Sequence, residues 1–239
     1  MTPPSLFVVS LPCSLSSPLY HAIRLSLGLR EPEWTRDGDI LDVRRSALVA
    51  DDETVEGVQY VERFRDGRRF ASLRCFLNQV ARAKSYAYKD AVQPFLVAEW
   101  LATSGMQALY LDRPVADVAH ALLERGWHFP ARAGGLGPGA STHGVTGGAA
   151  EPGLERALLR GLLRARQALA ALPVRVCYDE LIHDEKPLWS ALRALYGDDL
   201  PCPSYLNDDF CRTRDAALDR RRTARHRRLA ELCAELDGA

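Results

Sequence analysis

Between the apolar run Leu6–Ser10 (LFVVS) and a stretch of helical periodicity lies the segment SLPCSLSSP, which carries Ser14, Ser16 and Ser17 where a helix should open. A strand, a tight loop and a helix N-terminus make an anion site by geometry. The unpaired N–H groups of the first turn point outward, and the helix dipole favours negative charge. Hydroxyls on the same loop add donors, so the chemistry on offer is phosphate binding. A plainer account also fits: Ser17 as N-cap with Pro18 at the first helical position simply starts a helix. The pattern GxxxxGK[ST] is absent and the loop holds no lysine, so this is not a Walker-type phosphate loop. Cys13, beside a helix N-terminus, is a candidate nucleophile, although the sequence identifies no histidine to pair with it.

A second constellation is LYLDRPVADVAHALLERG, in which Arg113 closes a strand immediately before a helix. In parallel sheets, ligands bind outside the carboxyl ends of strands, and a guanidinium there can form a forked pair with phosphate. His120 lies about two turns further along the same helix. An Arg113–Asp117 ion pair across one helical turn is the competing use of that arginine. A third stretch, VRVCYDELIHDEKPLWSALRALYG, reads as a strand, an acidic turn and a helix closed by Gly197, and by itself names no chemistry.

The elements that must carry these residues alternate. Strands are expected at Leu6–Ser10, at YAYKD ending at Lys89, at Gln107–Leu111 and within VRVCYDELI. Helices are expected after Ser17 as far as Gly28, at Ala47–Glu62, Phe70–Ala83, Val92–Ala102 and Val115–Glu124, through LERALLRGLLRARQALAAL, and in the basic tail from Arg214 to Leu236. The succession predicts one α/β domain over residues 1–239, with a central, mostly parallel sheet flanked by helices. Phe129–Gly153 is too rich in glycine to form a packed element and reads as a mobile loop or lid.

Basic and acidic residues balance at 31 each, so no global field points to nucleic acid or to an anionic membrane. Six scattered cysteines without CxxC spacing favour reduced thiols and a cytoplasmic protein, and no finger-like metal spacing occurs. No apolar run approaches the ~18 residues of a membrane span.

Taken together, LPCSLSSPL, YKDAVQPF, LDRPVADVAHAL and YDELI with ALYG resemble, in order and spacing, the motifs of the P-loop sulfotransferase superfamily from about Leu6 to Gly197. The resemblance implies that fold and a 3′-phosphoadenosine-5′-phosphosulfate (PAPS) co-substrate, with no metal. It implies sulfuryl transfer to a hydroxyl or amine of a small-molecule acceptor. Ser14, Ser16 and Ser17 would hold the 5′-phosphosulfate, and Arg113 with His120 the 3′-phosphate. Glu33, after the first helix, is the preferred base over Glu31, and Lys89 or Arg113 would supply positive charge. The chain departs from the pattern at Cys13, where the family has a cation, and at Leu15, where it has glycine. Any left-handed geometry at Leu15 would be strained. Two further readings therefore stand beside transfer: changed chemistry on another phosphorylated or acidic substrate, and a catalytically silent binding or scaffolding protein using the basic tail. Acceptor identity and oligomeric state, homo-oligomers included, stay open.

Overall fold

The computed structural model describes residues 3–33, 35, 38–39, 80–91, 94–124 and 152–238. The expected helix at 47–62, most of that at 70–83 and the glycine-rich stretch up to residue 151 lie outside the described residues.

Strands β1 (Leu6–Ser10), β2 (Ala87–Asp90), β3 (Gln107–Asp112) and β4 (Arg175–Cys177) form a four-stranded sheet in the order β2-β1-β3-β4, with every pairing parallel. β1 lies between two neighbours and is buried along its whole length, which its unbroken apolar run requires. The helices are α1 (Ser16–Ser26), α2 (Pro94–Ser104), α3 (Val115–Glu124), α4 (Pro152–Leu169), α5 (Tyr178–Leu181), α6 (Lys186–Tyr196), α7 (Asp208–Arg221) and α8 (Ala224–Asp237).

Successive strand residues face opposite sides of the sheet, and two cores follow. Leu6 and Val8 pack with Leu19 and Ile23 of α1 and with Leu188 and Trp189 of α6. Phe7 and Val9 share the other core with Val118 and Leu122 of α3 and Leu159 and Leu162 of α4. The chain passes from β1 to β2 on one side and then to β3 on the other. The reversal of strand order, where open α/β sheets form their ligand crevice, thus falls between β1 and β3.

α1 ends as its sequence predicts. Gly28 takes φ 61°, its N–H donates to the Leu25 carbonyl at 3.2 Å, and Leu29 donates to the Arg24 carbonyl at 2.9 Å, completing a Schellman stop. Its start corrects the expectation. The helix opens at Ser16, so the cap position falls on Leu15 and Ser17 lies inside the first turn; no side chain caps it. Pro18 is tolerated there because first-turn N–H groups have no intrahelical partner anyway.

The tail is two helices rather than one. The Asn207 side chain accepts from Phe210 N–H at 2.9 Å and starts α7, and Thr223 accepts from His226 N–H at 3.1 Å and starts α8. Phe210 packs into the core on the α1 side and Leu229 into the core on the α3 side, so the pair spans both helical layers.

Candidate functional site at the carboxyl edge of the sheet

The loop between β1 and α1 carries backbone that its residues do not favour. Cys13 has φ 59°, and Leu15 has φ 55° and ψ 25°, both left-handed. A left-handed L-residue costs about 1–2 kcal/mol, and such strain persists only where surrounding structure enforces it. Alternating left-handed residues turn successive N–H groups toward one concavity, the geometry of an anion-binding nest. Ser14 is buried, its hydroxyl 3.5 Å from the Pro12 carbonyl; Ser16 is buried and Ser17 half-buried.

Arg113 follows β3 and reaches across the β1/β3 reversal. One terminal nitrogen donates to the Cys13 carbonyl, the guanidinium lies 4.5 Å from the centre of the Tyr178 ring, and Nε is 3.5 Å from Asp117. The competing use read from the sequence, the one-turn pair with Asp117, is therefore realised, and the same side chain also braces the loop. At this edge Ser10 Oγ and Tyr178 Oη are buried with no hydrogen-bond partner among the described residues. Buried polar atoms of that kind are rare because each forgoes its water without replacement.

Asp117 gathers a cluster that local sequence does not announce. Arg221 of α7 forks onto its carboxylate with Nε at 2.9 and 3.0 Å, and also contacts Asp179; His226 Nε2 lies 2.7 Å from Asp117 Oδ1. Burial alone would raise the Asp117 carboxyl, but hydrogen bonds from Arg221 and the charge of Arg113 hold it below the ordinary carboxylate range. His120 is buried beside this cluster. His120 Nε2 lies 3.1 Å from Thr223 Oγ1, which is also 2.8 Å from the Arg220 carbonyl. His120 Nδ1 lies 3.7 Å from Glu124, and burial pushes the ring's pKa down despite that carboxylate.

The remaining candidates lie on β2 and in the stretch that follows α1. Lys89 is buried with Nζ 2.7 Å from Asp39. Glu33 is exposed, whereas Glu31 accepts from the Gly38 N–H at 3.2 Å. Hence the structure brings together the loop serines, Arg113 and the start of α3, and leaves Glu33 on the surface past α1. Sequence reasoning missed Arg221, Thr223 and His226. Their signal was the arginine-rich tail, but their partners Asp117 and His120 lie 103–109 positions away.

A second buried aspartate, Asp112, also escaped notice. Arg166 of α4 forks onto it at 2.8 and 2.9 Å, Arg175 donates to Oδ2, and the Tyr110 hydroxyl donates at 2.8 Å. Burial would raise this carboxyl; the hydrogen bonds of Arg166 and Tyr110 keep it low. Burial and the adjoining Asp112 charge raise the Tyr110 hydroxyl well above its usual value.

Among the described residues no helix is long and apolar enough to cross a membrane. No protein-family model, curated protein or solved structure matches the chain.

Proposed function

We propose that the chain is a sulfotransferase-like enzyme that moves a sulfuryl group from PAPS to a hydroxyl or amine of a small acceptor, with the 5′-phosphosulfate received by the loop 11–17. The observation that carries this reading is Leu15 held left-handed at φ 55° at the sheet's strand-order reversal. A backbone serving only to start a helix has no need of that strain, whereas a phosphate cradle does. In such a transfer the acceptor atom bonds to sulfur as the bond from sulfur to the phosphate oxygen breaks, and the acceptor's proton goes to a base. Glu33 is the candidate base. The loop N–H groups, and Lys89 once released from Asp39, meet the charge that develops on the leaving phosphate.

The nucleotide's 3′-phosphate is less well served. Arg113, assigned to it by resemblance, already shares Asp117 with Arg221 and His226. That occupied position favours a second reading, in which the loop takes a phosphorylated or acidic substrate lacking the 3′-phosphate. Scaffolding through the tail draws less support, because Arg220 and Arg221, both half-buried, are engaged by Glu124 and Asp117.

Calorimetric titration with adenosine 3′,5′-bisphosphate, AMP and ATP separates the readings. Selective binding of the bisphosphate supports sulfuryl transfer; equal binding of AMP supports the second reading; no binding of any of them overturns the phosphate assignment of the loop. The paired replacement Cys13→Arg and Leu15→Gly should tighten the interaction by about tenfold, since it restores a cation and relieves the left-handed leucine. Unchanged affinity would mean that the loop holds no anion.

A further inference from the structure

We infer that the chain carries a second anion site, remote from the loop 11–17, in the groove between α4, β4 and the end of α8. It takes a small phosphate or sulfate monoester with an apolar portion. The groove has a volume of about 670 Å³ and is lined by Arg160, Arg164, Arg166 and Arg175, with Leu163 and Leu236 as apolar contacts. That volume suits a ligand of small-molecule size.

The decisive feature is how two of these arginines are held. Asp112, with 1% side-chain exposure, lies behind Arg166 and Arg175, whose side chains are 34% and 46% exposed. A carboxylate is costly to bury, and here it is paired with two cations and a tyrosine hydroxyl at once. One buried negative charge thus fixes two half-exposed guanidiniums side by side. Pre-orientation of that kind lowers what a bound oxyanion must spend on ordering its partners. Arg160 and Arg164 add two further guanidiniums to the lining, beside the carboxylate of Asp237. Arg166 turns Nε and Nη2 onto Asp112, so an oxyanion meets the outer nitrogens of the arginines, charge-assisted donors to phosphate and sulfate oxygens. The leucines accept an apolar substituent that a solvated basic face would not need.

The test uses phenyl phosphate as probe, with inorganic phosphate and benzyl alcohol as controls, titrated into the full chain by calorimetry. Binding of phenyl phosphate in the millimolar range or tighter, exceeding both controls, is expected. The pair Arg160→Ala and Arg175→Ala, both exposed positions, should weaken it by about tenfold or more, as expected for lost charge-assisted bonds. Ser17→Asp, which places a negative charge in the loop 11–17, should leave it unchanged. If the alanine pair fails to fold, Arg160→Lys with Arg175→Lys replaces it and should still weaken binding, because lysine lacks the fork. Absence of binding to the native chain, undiminished binding in the groove variants, or loss in Ser17→Asp alone would each overturn the proposal.

Discussion

Asp112 and Asp117 stand only five residues apart, both buried, both ionised against burial by arginines, yet their surroundings differ. Asp112 ends a strand and holds two arginines that look out into an open groove. Asp117 sits in the first turn of α3 and holds Arg113, itself 4% exposed, beneath a cover of α7 and α8. One carboxylate holds cations that all reach solvent; the other holds one cation, Arg113, sealed in the interior. The same chemical unit can therefore present cations to the outside or lock one away, according to the element that carries each arginine.

Removal of each carboxylate should break this comparison most visibly. Asp117→Ala leaves the Arg113 charge buried and unpaired, and should cost about 3–5 kcal/mol in denaturant unfolding. Asp112→Ala frees two arginines that can rehydrate, and should cost less, about 1–3 kcal/mol. Equal losses would erase the distinction between sealed and open clusters.

Acid should probe the two sides in sequence. His120 is depressed in the folded protein, so the unfolded chain binds the extra proton first. Stability contributed by the neutral ring is complete above about pH 6.5 and declines as pH falls toward the lower folded value. His120→Gln should flatten that first decline alone, which a pH series of melting temperatures would reveal. Both aspartates are depressed too, so their contributions are present above about pH 3.9 and vanish as pH falls through their folded values. The smallest effect belongs to Arg175→Ala. An arginine 46% exposed should contribute under about 1 kcal/mol, and a larger loss would mean that the groove arginines serve folding rather than a ligand.

Much of the architecture could be read from local pattern, because burial on both faces writes itself as apolar runs. LFVVS and QALYL are strands, Val115–Glu124 is helical as expected, and Gly28 and Gly197 end their helices. Three features could not be read in that way. Leu15 is left-handed although leucine disfavours it, because tertiary structure overrides local preference there. The break at Arg222–Thr223 was hidden within an arginine run, although Thr223 is a good cap. Arg221, His226 and Arg166 find their carboxylates across long stretches of sequence, where no periodicity operates. Arg113 was legible as a residue at the right edge of the sheet, but its engagement with Cys13 and Asp117 depends on those distant partners.

The junction of α7 and α8 has a kinetic consequence. Its contacts with Asp117 span 104–109 positions, so loop-closure entropy must be met before they contribute anything. The pairings of β1 join Leu6 to Ala87 and Gln107, across about as much sequence. However, β1 is buried along its whole length whereas α7 and α8 bury few of their residues, so the sheet should hold its protection longer. The two C-terminal helices should dock late and open first as a cooperative unit. Native-state hydrogen exchange would then report a lower opening free energy at 208–237 than along β1. Each such opening would momentarily return Arg113 to solvent, so the rate at which the carboxyl edge admits an anion would be set by a folding step.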